Sequence, residues 1–157
     1  MTPELRARYS AAIADLEQGF YERGVAELRA VTEQAPELAN PHVDLGVALH
    51  RTGYLAEAAV SLEKALAVSP DHPIAHSELA LVRRKQGRFA DARASYEKAL
   101  ALYPDFHLAN KNLAILCDLY QRDYGCALRY YEAYQGLVAD DPQVSIWIAD
   151  LTGRVSP

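Results

Sequence analysis

Two histidines stand at a spacing that could bind a metal ion. His72 and His76 are four residues apart, and two imidazoles at this spacing on one helix can ligate zinc. Pro73 lies between them and places His72 at or before a helix start, because proline disfavours a helical residue in front of it. No cysteine or carboxylate pair nearby completes a tetrahedral set. We therefore expect structural histidines and predict no metal site.

Cys117 and Cys126 are the two cysteines of the chain. They would face each other across a helical hairpin, so a disulfide between them is possible. Cys117 also stands where a small apolar residue would pack, and we expect it to be a buried free thiol. Two cysteines are too few for a disulfide framework and indicate little about the redox compartment.

Motifs for catalysis are missing from the sequence. It contains no GxSxG, no phosphate-binding glycine loop and no HExxH. Its aspartates and glutamates are scattered over helix faces rather than paired as an acid and a base would be. The sequence therefore predicts a protein that is not an enzyme and needs no cofactor.

The 157 residues carry a formal net charge of -5, and half of them are apolar. This length suggests a single domain over residues 1–157. The acidic balance argues against a nucleic-acid partner, which would favour a basic stripe. The longest basic run, Arg83-Arg84-Lys85, lies in a helical pattern, and we expect it to be a solvated helix face.

Membrane and targeting signals are also missing. No run of about 18 apolar residues predicts a membrane span, and residues 1–20 lack the apolar core of a signal peptide. The chain as written is therefore expected to be cytoplasmic. If a leader once preceded Met1, the expectation becomes a periplasmic or envelope-associated protein.

A 34-residue period organises the chain and must position these side chains. Proline recurs at positions 36, 70 and 104, glycine recurs at 19, 53 and 87, and residues 61–70 match 95–104 at most positions. Small residues would let helix backbones approach to the short end of about 8–10 Å where they cross. These residues are Ala12, Gly46, Ala80 and Ala114 in the first helices, and Gly24, Ala58, Ala92 and Ala127 in the second helices.

With this period the chain resembles the tetratricopeptide repeat (TPR) family, whose unit is a 34-residue helix–turn–helix. Leu45-Gly46 and Leu79-Ala80 match it best, together with the periodic glycines, alanines and prolines. The resemblance implies an all-α fold, a right-handed α-solenoid of about four repeats at residues 2–37, 38–71, 72–105 and 106–140. Small bacterial TPR proteins of this size, with a Trp-containing cap, resemble envelope-associated scaffolds and lipoproteins.

The last part of the chain departs from the pattern. The fourth unit replaces the turn glycine by Gln121-Arg122-Asp123 and gains one residue, so its second helix should start near Tyr124. An apolar stripe at Val144, Trp147, Ile148 and Leu151 follows, at helical spacing. We expect a capping helix at about residues 142–153 that covers the last repeat.

The resemblance also implies that the first helix of each unit lines a concave groove. The positions expected to contact a partner there are Tyr9, Ile13, Val43, Asp44, Val47, Arg51, Ile74, Glu78, Leu81, Arg84, Lys85, Leu108, Asn112 and Ile115. Four of them, Ile13, Val47, Leu81 and Ile115, recur every 34 residues. If exposed, they form an apolar row with a polar rim, which commonly marks a partner site; the other interpretation is ordinary packing between first helices.

The groove lacks the carboxylate clamp of chaperone-binding TPR domains. That clamp needs Lys, Asn, Asn, Lys and Arg, whereas the matching positions hold Tyr9, Ile13, Asp44, Ile74 and Glu78. We therefore expect a scaffold or adaptor that binds an amphipathic helix or extended segment of a protein partner. The alternative is a structural protein whose groove or cap packs on another copy in a homodimer or larger oligomer.

Overall fold

The computed structural model describes residues 1–156, which form nine α-helices and no β-strand. Eight helices pair into four consecutive hairpins, and the ninth packs on the last hairpin. The fold is therefore an all-α solenoid. The helices are α1 (Pro3–Glu17), α2 (Tyr21–Gln34), α3 (Ala39–Arg51), α4 (Leu55–Val68), α5 (Pro73–Lys85), α6 (Phe89–Leu102), α7 (His107–Ile115), α8 (Tyr124–Leu137) and α9 (Pro142–Val155).

The ends of the helices follow from local chemistry. Proline occupies the first turn of α1, α5 and α9, where its missing N–H costs no helical hydrogen bond. The hydroxyl of Thr2 and a carboxylate oxygen of Asp141 accept hydrogen bonds from backbone N–H groups of the first turns that follow. The first three hairpins turn at glycines with φ of 84°, 88° and 76°, a left-handed conformation that favours glycine.

The fourth hairpin turns differently, as the substitution of its turn glycine predicts. Helix α7 continues into a π-helical turn at Leu116–Gln121, and Arg122 takes the left-handed conformation with φ of 53°. Such a wide turn accommodates the extra residue. Helix α8 then begins at Tyr124, as expected.

The expectation of a free thiol at Cys117 is wrong. Cys117 is joined to Cys126 by a disulfide, with their Cα atoms 5.9 Å apart. Cys117 is fully buried as expected, but its partner on the facing helix is buried beside it. Burial of Cys117 therefore does not exclude a disulfide, since the hairpin places both sulfur atoms on its inner side.

Small residues allow the close helix crossings that the sequence predicts. All eight predicted positions, the six alanines with Gly24 and Gly46, are buried. At Gly46 a Cβ atom would lie 2.6 Å from Cγ of Leu62 and 3.3 Å from the carbonyl oxygen of Ala58. No methyl group fits at that distance without movement, so α3 and α4 pack backbone to backbone there.

A polar contact links each hairpin to the one before it. The Nε2 atoms of His42 and His76 lie 3.1 Å and 2.8 Å from the carbonyl oxygens of Pro36 and Pro70. Asn110 donates from Nδ2 to the carbonyl oxygen of Pro104 at 3.0 Å. The three side chains are 34 residues apart, so the repeat keeps this contact while changing the donor.

Helix α9 covers the open side of the fourth hairpin. Val144 and Leu151 are buried against it, and the rings of Trp147 and Tyr131 have centroids 5.4 Å apart. Tyr134, which stands where the family places alanine, is also buried and donates a hydrogen bond to Asp141 at 3.0 Å. The larger tyrosine thus fills the space between α8 and the segment that leads into α9.

Candidate functional site

The first helices of the first three hairpins form one continuous surface. Helix α1 contacts α3, and α3 contacts α5. The predicted groove positions lie on these helices and on α7, and we call the surface that they outline the groove. Residues at equivalent positions of successive repeats are 34 apart, so we describe them together as rows.

The central row is apolar and consists of Ile13, Val47, Leu81 and Ile115. Each of these side chains is partly exposed, and each also packs against the core. The sequence left two interpretations open, an exposed apolar row and ordinary packing between helices, and each describes part of these side chains. The inner atoms complete the packing between helices, and the outer atoms reach the groove surface.

Two further apolar side chains lie more openly beside this row. Ile74 and Leu108 are 49% and 52% exposed. Val43, by contrast, is only 5% exposed and belongs to the core, so it offers a partner almost no surface. Asn112 is partly buried on α7.

One edge of the groove carries carboxylates. The hydroxyl of Tyr9 donates a hydrogen bond to Asp44, and these two residues line a cavity of about 230 Å³ together with Asn40, Val43, His72 and Ile74. Burial raises the pKa of Asp44, while the hydrogen bond from Tyr9 and the charge of His72 act in the opposite direction. Burial likewise raises the pKa of Glu78, against the opposing charge of Arg51.

Both histidines of the predicted structural pair are engaged in hydrogen bonds. His72 caps α5, since its Nδ1 accepts from the backbone N–H of Ala75 at 3.2 Å, and its Nε2 lies 3.0 Å from Oδ1 of Asn40. His76 holds the carbonyl of Pro70. Within residues 1–156 no three side chains of His, Cys, Asp or Glu come together as a metal site.

The opposite edge of the groove is basic. Arg51, Arg84 and Lys85 lie in the last turns of α3 and α5, next to His50. Burial lowers the pKa of His50, and the positive charges of Lys85, Arg51 and Arg84 lower it further. The predicted solvated run is therefore divided, because Arg83 turns away to Ser95 Oγ at 2.7 Å and to Glu63.

One aromatic residue of the groove was not predicted. The guanidinium carbon of Arg84 lies 5.7 Å from the ring centre of Tyr120, a cation–π distance. Tyr120 belongs to the π-helical turn, where the 34-residue register no longer assigns positions. The extra residue of the fourth unit was the one signal that the register would shift there.

The hairpins and their period define a helical-repeat protein of the class that binds other proteins. Two family models described as tetratricopeptide repeat match residues 37–105 and residues 77–144. Together they cover more than two thirds of the chain. The chain belongs to the tetratricopeptide repeat family.

Solved structures share this fold over almost the whole chain. MamA (residues 41 to the end) of Desulfovibrio magneticus RS-1 is similar with a TM-score of 0.86 and 18% identity, over 98% of this chain and 86% of MamA. PilF of Pseudomonas aeruginosa gives a TM-score of 0.84 and 24% identity, over 96% and 68% of the two chains. TTC0263, a thermophilic TPR protein of Thermus thermophilus, gives 0.78 and 25%, over 94% and 81%.

These likenesses establish the fold and do not identify a partner. Among proteins of curated function, none matches the chain in sequence. No helix within residues 1–156 has both the length and the apolar character needed to cross a membrane.

Proposed function

We propose that this protein is a binding scaffold that holds a segment of a partner protein in the groove. Proteins of this family bind protein partners, and helices α1, α3 and α5 offer a continuous surface for one. The proposed contacts are the apolar row with Ile74 and Leu108, and the charged residues on both edges. The partner's segment is an amphipathic helix or an extended strand with apolar anchors.

The observation that supports this proposal most directly is the partial exposure of the central row. Ile13, Val47, Leu81 and Ile115 all keep apolar surface in contact with water. Covering apolar surface contributes about 25 cal/mol per Å², so a ligand lying along the row gains from each repeat in turn. Contiguous apolar surface of this kind, with polar residues at its rim, is typical of a docking site.

Replacing two residues of the row by glutamate tests the proposal. Val47→Glu combined with Leu81→Glu puts two charges where the apolar anchors would lie, and we expect it to abolish capture of partners from an extract of the source cells. The matched control is Val60→Glu with Val68→Glu, because both residues are exposed on α4, a second helix. Circular dichroism establishes that each variant is folded.

The outcomes separate clearly when captured proteins are quantified by mass spectrometry. The proposal requires that partners bound by the wild type are lost from the groove variant and kept by the control variant. Equal capture by both double variants would show that the groove is not the binding site.

Self-association is the second candidate function. Leu119 in the π-helical turn and Ile146 on α9 are 67% and 62% exposed, which is high for large apolar side chains. In a homodimer these residues, or the groove itself, would be covered by another copy. Size exclusion with light scattering, over a hundredfold range of concentration, measures the oligomeric state. Self-association predicts a dimer in the wild type that Ile146→Asp or the groove variant removes.

The proposal includes no catalytic step and no nucleic acid. Among residues 1–156 no cluster of His, Cys, Asp or Glu side chains could hold a metal ion. The net charge of -5 also disfavours nucleic acid as a partner.

A further inference from the structure

The basic edge of the groove lies directly beside the apolar row. Arg51 follows Val47 by four residues on α3, and Lys85 follows Leu81 by four residues on α5. Residues four apart lie on one face of a helix, about 6 Å apart along its axis. A ligand that covers Val47 and Leu81 therefore brings its own side chains within reach of both cations.

The three cations of this edge form no close ion pair within the described part of the chain. Within residues 1–156, neither Arg51, Arg84 nor Lys85 forms an ion pair, although nine such pairs occur elsewhere. Lys111, on the next first helix, is paired with Asp141 at 2.7 Å. The basic edge thus holds positive charge that the protein does not neutralise with an ion pair.

Polar atoms around this edge also lack hydrogen-bond partners. Among the described residues, Nη1 of Arg84, Nε2 of His50 and the hydroxyl of Tyr96 are buried without one. A buried polar atom without a partner is unfavourable, because it has lost its hydrogen bonds to water.

The carboxylates of the acidic edge differ from these cations in their contacts and burial. Asp44 already accepts the hydrogen bond of Tyr9 and lies near His72. Glu78 is partly buried, and burial raises its pKa against the opposing charge of Arg51. The side chains of the basic edge, by contrast, form no ion pair among the described residues.

We infer that the groove selects an acidic–apolar segment, whose apolar side chains cover Val47 and Leu81 and whose carboxylates face Arg51, Arg84 and Lys85. This inference rests on the proposed function, because it names the chemistry of the segment bound at that site. The carboxylates are side chains of the segment, on the side of its apolar anchors that faces the basic edge. The positive edge lies within the two central hairpins, so the acidic residues lie near the middle of the bound segment.

Selection from a displayed library of random peptides tests the inference without knowledge of the natural partner. The full-length protein is the bait, in three forms: wild type, Arg51→Glu with Lys85→Glu, and Lys64→Glu with Lys98→Glu. The last form is the matched control, since both lysines are exposed on second helices and the change in net charge is the same. We expect the wild type and the control to enrich peptides in which Asp or Glu adjoins apolar residues.

The charge-reversed form should lose this enrichment and favour Lys or Arg instead. A synthetic peptide selected by the wild type should bind the charge-reversed form on the order of tenfold more weakly or worse. Its affinity for the wild type should fall as salt is raised, because salt screens the contact.

Three results would overturn the inference. Peptides without acidic enrichment that still require Val47 and Leu81 would refute the acidic preference and leave the groove as the binding site. Peptides that bind the Val47→Glu and Leu81→Glu variant as well as the wild type would refute the proposed function too. A wild type that is a stable dimer and selects no peptide would show that a second copy fills the groove.

Discussion

At the scale of single residues, positions with the smallest side chains determine helix packing as much as positions with large ones. Gly46 lets α3 touch α4 at a place where even a methyl group would meet Leu62. Ala58 and Ala92 are fully buried at equivalent crossings. These positions could be predicted from the sequence, because a crossing between helix backbones admits only the smallest residues and the period repeats the requirement.

Ala92→Leu tests this requirement. Ala92 is fully buried, so three added carbon atoms must push α6 away from its neighbours, at a cost of about 1–3 kcal/mol. Ala94→Leu is the control, because Ala94 is exposed on the same helix. Urea unfolding should give a lower midpoint for Ala92→Leu than for Ala94→Leu, and equal midpoints would contradict the placement of Ala92 at a crossing.

Other contacts at this scale could not be predicted. The bond between Tyr9 and Asp44 joins residues 35 positions apart and depends on the side-chain rotamers that the packed helices allow. The contact of His42 and His76 with proline carbonyls was likewise not foreseen, although their equivalence was visible in the period. Spacing identifies which residues share a position, but not which atoms meet.

At the scale of elements, the fourth hairpin shows where the period stops being informative. The lost glycine and the extra residue located the irregular turn and the start of α8 correctly. They did not reveal its π-helical form, the position of Tyr120 or the disulfide between Cys117 and Cys126. Each of these depends on how one added residue is absorbed by the backbone, which a pattern of residue types does not determine.

Reduction of the disulfide should destabilise this hairpin. The bond closes a short loop between residues nine apart, and a loop of this length contributes about 2–4 kcal/mol by restricting the unfolded chain. Denaturant unfolding with and without dithiothreitol measures the effect, and Cys117→Ala with Cys126→Ala is the control that the reductant should not change. Equal stability of the wild type in both conditions, with both thiols shown to be labelled by iodoacetamide, would contradict this expectation.

At the scale of the whole molecule, contacts connect each hairpin with its neighbours and leave the two ends of the chain apart. Helices α1 to α3 pack together, and so do α7 to α9. The fold class followed from the repeat alone, and the groove as a binding site remains a proposal. The distribution of charge along the groove did not, because it depends on which carboxylates and cations are already engaged within the protein.

A cavity made near one end should therefore leave the other end protected. Leu28→Ala empties a buried position of α2, at a cost of about 2–5 kcal/mol, and we expect faster amide exchange in α1 to α3 with little change in α7 to α9. Leu113→Ala in α7 is the mirrored control and should give the opposite pattern. A uniform rise in exchange along the chain for both variants would show that the hairpins do not open separately.

The contact between each first helix and the preceding proline has a consequence for how the hairpins depend on one another. The carbonyls of Pro36, Pro70 and Pro104 follow the ends of second helices and receive their donors from the next hairpin. If the next hairpin is incompletely folded, the proline carbonyl that follows a second helix therefore lacks its hydrogen-bond donor. These three bonds contribute to the interfacial energy between repeats, and so to the cooperativity of unfolding. Asn110 supplies this bond with an amide, so the third junction is coupled by a group that does not titrate.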